Sequence, residues 1–265
     1  SIFFLSTVFF IFLEIFDSSV KTPGIFGKLS KIKIANVINQ VNLKKNRPSA
    51  IILEDLSGKK FRKDNVFKNN IRKLRYELLN SEKKVFLFTS TQRKTGKSTI
   101  IEALAASLIL GKKRVLILDM NFTNNTLTKM FGIDLYIQDL AQNINFGVPA
   151  RQQKIAATTE QEGLEIIGCR EANITPSEAL FNVDMKILLE FFKASYDFVL
   201  IEGASLNNYA DSKELALYVE GVFTVFSADS SVIQVDIESM KFIADLKAKN
   251  HGVILNKVLT ENINS

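Results

Sequence analysis

The stretch FTSTQRKTGKSTII, residues 88–101, decides the fold. Before it, Val85–Phe88 reads as a short buried strand; after it, Ser98–Leu110 reads as an Ala/Leu-rich helix. Strand, loop, Thr95-Gly96-Lys97-Ser98-Thr99 and helix, in that order, is the context a phosphate-binding Walker A loop requires. Loop amides and the helix N-terminus would point at phosphate oxygens, and the helix dipole would add a favourable field. In this reading Lys97 reaches the β- and γ-phosphates of ATP and the Ser98 hydroxyl ligates Mg²⁺. Thr91, Gln92, Arg93, Lys94, Thr95, Gly96 and Thr99 complete the expected nucleotide contacts. The first glycine of the usual G-x-x-x-x-G-K-S pattern is replaced by Thr91, which is harmless if the backbone there needs no positive φ. A lysine-rich loop capping a helix is the plainer alternative.

Beyond this loop, strands and helices alternate. Strands are expected at Arg114–Leu118, Leu164–Ile167, Phe198–Ile201, Val222–Phe226 and Val253–Leu255. Helices are expected at Ser177–Lys193 and near Val232–Lys247. That alternation implies βαβ crossovers and an α/β P-loop NTPase fold: a mostly parallel sheet with helices on both faces. Upstream, Phe67, Ile71, Leu74 and Leu78 mark one face of a helix over Val66–Asn80, with Lys68, Arg72, Lys73 and Arg75 around the rest.

The chain has one cysteine, Cys169, and one histidine, His251, so an internal disulfide and a Cys/His zinc site are both excluded. The net charge of +6 is unevenly spread: residues 17–97 hold 20 Lys/Arg against 6 Asp/Glu, whereas residues 98–265 hold 14 against 21. Residues 1–16, SIFFLSTVFFIFLEIF, are apolar except for Glu14, and read as the C-terminal part of a transmembrane helix. Lys21, Lys28, Lys31, Lys33, Lys44, Lys45 and Arg47 follow, which the positive-inside rule assigns to the cytoplasm, beside anionic head groups. The expected division is therefore a membrane segment over 1–16, a basic juxtamembrane linker over 17–65 and a P-loop domain over 66–265. The basic segment lacks the interleaved aromatics of a base-stacking platform, so nucleic acid is not an expected partner.

In order along the chain, FDSSVKTP (16–23), IRKLRYELL (71–79), RVLILDMNFTNNTLTKMFGI (114–133), EGLEIIGCREANITPSEAL (162–180), YDFVLIEGAS (196–205) and HGVILNKV (251–258) accompany the loop. Together they resemble the cytoplasmic domain of bacterial polysaccharide co-polymerases of the tyrosine-kinase type. The resemblance implies a Walker A′ element at Asp119–Asn121, a Walker B strand ending at Glu202, and Asn256 near the base. It also implies a homo-oligomer formed through the Arg72/Arg75 helix, a location at the inner membrane, and an inner-membrane polysaccharide polymerase or export machinery as partner.

The departures bear on chemistry. The family's A′ element reads D-x-D, and here it is Asp119-Met120-Asn121; its Walker B strand ends in Asp, and here in Glu202. Its oligomer-forming helix has Glu where Asn69 stands, and its C-terminal tyrosine cluster is missing from VLTENINS. Asn121 loses a charge that would help hold Mg²⁺, and Glu202 moves its carboxylate by about 1.5 Å. Asp119 is the residue expected to activate an attacking hydroxyl, with Lys97 and Glu202 as its catalytic companions and Ser98, Asp119, Asn121 and Glu202 as the metal set. Three functions stay open: an ATP-binding regulator of polysaccharide assembly with weak or lost kinase activity, an active tyrosine autokinase, and a ParA/MinD-type partitioning ATPase.

Overall fold

The computed structural model describes residues 19–30, 32–44, 46–54, 62–140 and 143–264. The expected membrane segment over 1–16 lies outside these residues; among those described, no helix is long and apolar enough to cross a membrane.

The strands are β1 (Ile34–Asn39), β2 (Val85–Ser90), β3 (Val115–Asp119), β4 (Ala157–Thr158), β5 (Leu164–Ile167), β6 (Phe198–Ser205), β7 (Gly221–Ser227) and β8 (Asn250–Val258). They form one sheet in the order β1-β8-β7-β2-β6-β3-β5-β4, parallel throughout except for the antiparallel β4–β5 pair. The helices, in chain order, are α1 (Pro23–Ser30), α2 (Pro48–Leu53), α3 (Arg62–Asn80), α4 (Lys97–Leu110), α5 (Thr126–Phe131), α6 (Ile137–Leu140), α7 (Pro176–Ala179), α8 (Met185–Ser195), α9 (Asp211–Leu215) and α10 (Gln234–Asp245).

Both faces of the sheet are covered, which is why its strands read as continuous apolar runs rather than alternating ones. In β2, Phe86 and Phe88 join the core under α3 and α4, while Val85 and Leu87 join the opposite core under α8 and α9. The amphipathic reading of α3 is met: Phe67, Ile71, Leu74 and Leu78 are all buried. Helix α4 is buried on almost every side, because α2 and α3 pack over it, and its small alanines permit that approach. The cover carries one buried charge: Glu102 accepts from Ser49 Oγ at 2.7 Å and from Arg47 Nε at 3.2 Å.

Two stretches differ from the sequence reading. The single helix expected over 177–193 is two: α7 ends at Ala179 with Leu180 as its C-cap, and Asp184 caps the start of α8 by accepting from the Lys186 and Ile187 amides at 2.7 and 3.4 Å. Part of the segment read as a linker enters the fold: β1 pairs in parallel with β8 at the sheet edge, and α2 covers α4. Pro23 and Pro48 begin short helices rather than only breaking long ones, since proline suits the first helical turn.

Candidate functional site at the mouth of helix α4

The loop between β2 and α4 is shaped by its neighbours. Thr91 keeps negative φ, so its replacement of glycine costs no strain; Lys94 (φ 60°) and Gly96 (φ 91°) take the left-handed turns instead. Leu206 N–H donates to Ser90 O at 2.8 Å and Asn207 N–H to Thr91 O at 3.1 Å, tying one side of the loop to the end of β6. On the other side, Asn256 Nδ2 donates to Thr95 O at 2.8 Å and Lys257 Nζ to Lys94 O at 3.0 Å. The first α4 bond runs from Ile100 N–H to Gly96 O at 3.1 Å, so the amides of residues 97–99 precede the hydrogen-bonded ladder and serve the helix mouth.

That mouth opens on a cavity of about 410 Å³ whose lining includes Arg93, Lys94, Thr95, Gly96, Lys97, Ser98 and Thr99. Asn121 and Thr123 line it from just beyond β3, Glu202 from β6 and Tyr209 from just beyond β6. A second cavity of about 710 Å³ shares Gly96, Thr99 and Lys257 with it and extends past Asn256 toward Leu43, Lys44 and Phe67.

The charged groups converge. Lys97 is buried and donates to Ser90 Oγ at 3.0 Å. Burial pulls its ammonium below the ordinary lysine range, opposed by the nearby Glu202 and Asp119 carboxylates. Ser98 Oγ donates to Glu202 Oε1 at 2.9 Å, while the buried Glu202 Oε2 has no hydrogen-bond partner. Burial, then repulsion from Asp119, pushes the Glu202 carboxyl to about 8. Asp119 is fully buried; burial lifts it to about 6 against the pull of its donors. Those donors are the Thr128 amide (2.9 Å) and hydroxyl (2.8 Å) on Oδ2 and the Asn121 amide (3.2 Å) on Oδ1.

Of the residues picked from sequence, Lys97, Ser98, Asp119, Asn121 and Glu202 come together at the ends of adjacent strands β3 and β6, where Asp119 pairs with Glu202 across the register. Gln92 goes elsewhere: its side chain donates to Ser231 O at 2.9 Å and to Asp236 Oδ2 at 2.8 Å, and only its backbone stays in the loop. The Thr91 hydroxyl is likewise buried, outside the cavity lining. The Asn256 amide is committed to Thr95 and packs so closely on Gly96 that a Cβ there would collide with it. Thr128, Asn207, Asp236 and Lys257 were not foreseen; Thr128 and Lys257 lie inside quoted motif stretches and Asn207 two residues beyond one, whereas Asp236 lies away from any of them.

Among the described residues no cluster of three or more His, Cys, Asp or Glu side chains could hold a metal. The donor set here is instead a hydroxyl, a carboxylate with one unpartnered buried oxygen, and an amide, hard oxygens that fit Mg²⁺ completed by water and phosphate.

Comparison with known proteins gives the arrangement a family. The model for the CobQ/CobB/MinD/ParA nucleotide binding domain matches residues 86–265. EpsB of Ralstonia nicotianae is 28% identical over 188 residues, covering 69% of this chain and 24% of that protein. The tyrosine-protein kinase ptk of Acinetobacter johnsonii is 25% identical over 229 residues, covering 83% and 29%. The chain thus spans about a quarter of the length of these curated relatives. Among solved structures, the chimerical protein CapA2B2 superposes with a TM-score of 0.70 at 19% identity, covering 90% of this chain and 100% of that one. The kinase domain of Escherichia coli tyrosine kinase ETK gives 0.66 at 18%, covering 90% and 95%. These structural likenesses establish the α/β P-loop fold. The matching family model makes the chain, with its lysine, serine and two acids gathered at the mouth of α4, a member of the CobQ/CobB/MinD/ParA nucleotide-binding domain family, similar in sequence within it to P-loop domains of the bacterial tyrosine-kinase type.

Proposed function

We propose that the chain is the ATP-binding cytoplasmic domain of a membrane polysaccharide co-polymerase, in which nucleotide governs assembly while tyrosine-kinase chemistry is weakened. The observation that carries this reading is the convergence of Lys97, Ser98 and Glu202 on one cavity at an N-terminal helix mouth. The amides of residues 94–99 would bind the phosphates, and Lys97 would leave Ser90 to neutralise them. Ser98 and Glu202, with Asn121 and Asp119 behind them, would hold Mg²⁺, which when bound neutralises charge on the transferring phosphoryl group. The second cavity, entered past Asn256, would take the nucleoside.

Weakening has two sources in this chain. Asn121 supplies an amide oxygen where the family supplies a carboxylate, and that oxygen already accepts from Thr123 Oγ1 at 3.1 Å. Both oxygens of Asp119 accept bonds from its own chain, so it must release one to act as a base. Calorimetric titration with ATP and Mg²⁺ tests the binding half: micromolar affinity is expected in the chain and not in Lys97→Met. No heat in either would sink the proposal.

A second reading is an active tyrosine autokinase, favoured by Tyr209 lining the phosphate cavity. The relative ptk bears the name tyrosine-protein kinase, which supports this alternative. Labelled ATP separates the two: phosphotyrosine above the Lys97→Met background favours the kinase, and its absence with binding intact favours the regulator. The basic residues 17–65 suit an anionic membrane surface, and a polysaccharide polymerase or export machinery is the proposed partner.

A further inference from the structure

Asp236, in the first turn of α10, is fully buried, yet both its oxygens are spoken for by other segments. Oδ2 accepts from Gln92 Nε2 at 2.8 Å and from the Ile233 amide at 2.8 Å; Oδ1 accepts from Asn207 Nδ2 at 2.8 Å. Gln92 belongs to the phosphate loop, and Asn207 to the loop that follows β6, the strand carrying Glu202. The junction is braced further. Ser239 Oγ donates to Asn207 Oδ1 at 2.6 Å, Gln92 Nε2 also reaches Ser231 O, and Asn207 N–H donates to Thr91 O.

Capping α10 requires only the Ile233 bond. The other two bonds reach across 144 and 29 residues of sequence, and they end on the two loops that flank the phosphate cavity. A carboxylate this deeply buried is stable only while its donors stay, so its demand for partners fixes where those donors stand. Gln92 therefore turns its side chain to α10, while its backbone stays part of the phosphate loop.

We propose that Asp236 is a positioning residue for the phosphate site, holding the loop over 91–96 through Gln92 and the loop after Glu202 through Asn207. This rests on the nucleotide reading above. Neither Asp236 nor the Gln92 side chain touches the ligand; their effect is to keep the loop in the shape that receives it, so the ligand does not have to order it.

The test uses the whole chain, with Gln92→Ala, Asp236→Ala and the double variant. Two measurements are made: affinity for ATP with Mg²⁺, and amide hydrogen exchange of residues 91–96 without nucleotide. Gln92→Ala should weaken binding about tenfold or more, the usual consequence of losing a bond to a buried charge. It should also speed exchange at 91–96 while β3 and β6 stay protected. Asp236→Ala should do at least as much, and adding Gln92→Ala to it should cost no more than about twofold further, because the two act through one contact. Wild-type affinity and unchanged exchange in Gln92→Ala, or losses that simply multiply, would overturn the proposal. If Asp236→Ala does not fold, Gln92→Ala still decides it by both measurements. If the wild-type chain itself binds no ATP, the nucleotide reading falls, and exchange in Gln92→Ala alone decides whether Asp236 shapes the loop.

Discussion

Ser98 Oγ lies 2.9 Å from Glu202 Oε1, so the first helical hydroxyl of α4 and a buried acid within β6 are in direct contact. The extra methylene of glutamate closes the gap that a shorter acid would leave to the serine. A carboxylate pressed onto the hydroxyl has less freedom to hold a metal through water, and its second oxygen stays buried and unpartnered.

Restoring the family's acids should therefore raise turnover. In Asn121→Asp with Glu202→Asp, the A′ element regains its charge and the Walker B acid withdraws from Ser98. Displacements near 1 Å at such sites are worth about 100-fold in rate, so a rise of that order in ATP hydrolysis is expected. Steady-state phosphate release checks it. Unchanged turnover with ATP binding intact would mean that these two positions do not limit the chemistry.

The same acids predict how stability changes with pH. Glu202 sits at about 8 in the fold against an ordinary 4.5, and Asp119 at about 6 against 3.8. Between those limits the folded chain keeps protons that the unfolded chain has released. Stability from these groups is therefore fullest at low pH and is lost as pH rises through the window. Lys97, lowered by burial, works in the opposite sense. Thermal melts of the nucleotide-free chain from about pH 5.5 to about pH 8.5 should decline, and the decline should be shallower in Glu202→Gln. An equal slope in that variant would mean Glu202 is already ionised in the fold.

Gly96 offers a stricter test of the loop. Its φ of 91° disfavours any side chain, and a Cβ would run into the Asn256 amide that holds Thr95. Gly96→Ala should lose about 1–3 kcal/mol of stability in urea denaturation. It should also lose ATP affinity, since the collision displaces the Asn256–Thr95 bond. A variant with wild-type stability and affinity would show that the turn tolerates rearrangement.

Most of this architecture was legible because its signals are local. Val85 to Leu110 carries strand, turn and helix within one window, and the helix begins at Lys97, one residue before its expected start. The sheet strands were visible as apolar runs because burial on both faces removes the polar alternation. What stayed hidden depends on distant partners. The run IANVIN in β1 is too polar to announce a strand, and becomes one by pairing at the edge with β8. Gln92 looked like a ligand contact from its place in the motif, and only the fold brings Asp236 to claim its side chain. Thr128 shows the same limit: its hydroxyl bridges Asp119 and the Cys169 amide, 41 residues away.

The two arginines of α3 were read alike from sequence, and the fold separates them. Arg75 Nη1 donates to Ser107 O at 2.8 Å, fastening α3 onto α4 within one subunit. Arg72 is exposed, and among the described residues its hydrogen bond goes to Asn69 Oδ1, at 3.0 Å, one turn back along its own helix. Arg75→Ala should therefore destabilise the folded chain by about 1.5–3 kcal/mol, the range for a hydrogen bond from a charged donor. Arg72→Ala should change stability by less than about 0.5 kcal/mol, as for most exposed sites. If the α3 face assembles subunits, Arg72→Ala should nonetheless shrink the oligomer seen by sedimentation with ATP present. Asn69→Glu, which supplies the acid of the family's motif, should place a carboxylate against Arg72 and alter that assembly without altering the melting temperature. Equal loss of stability in both arginine variants would mean that Arg72 also serves the subunit's own fold. Assembly indifferent to Arg72 and Asn69 would move the contact between subunits off this face of α3.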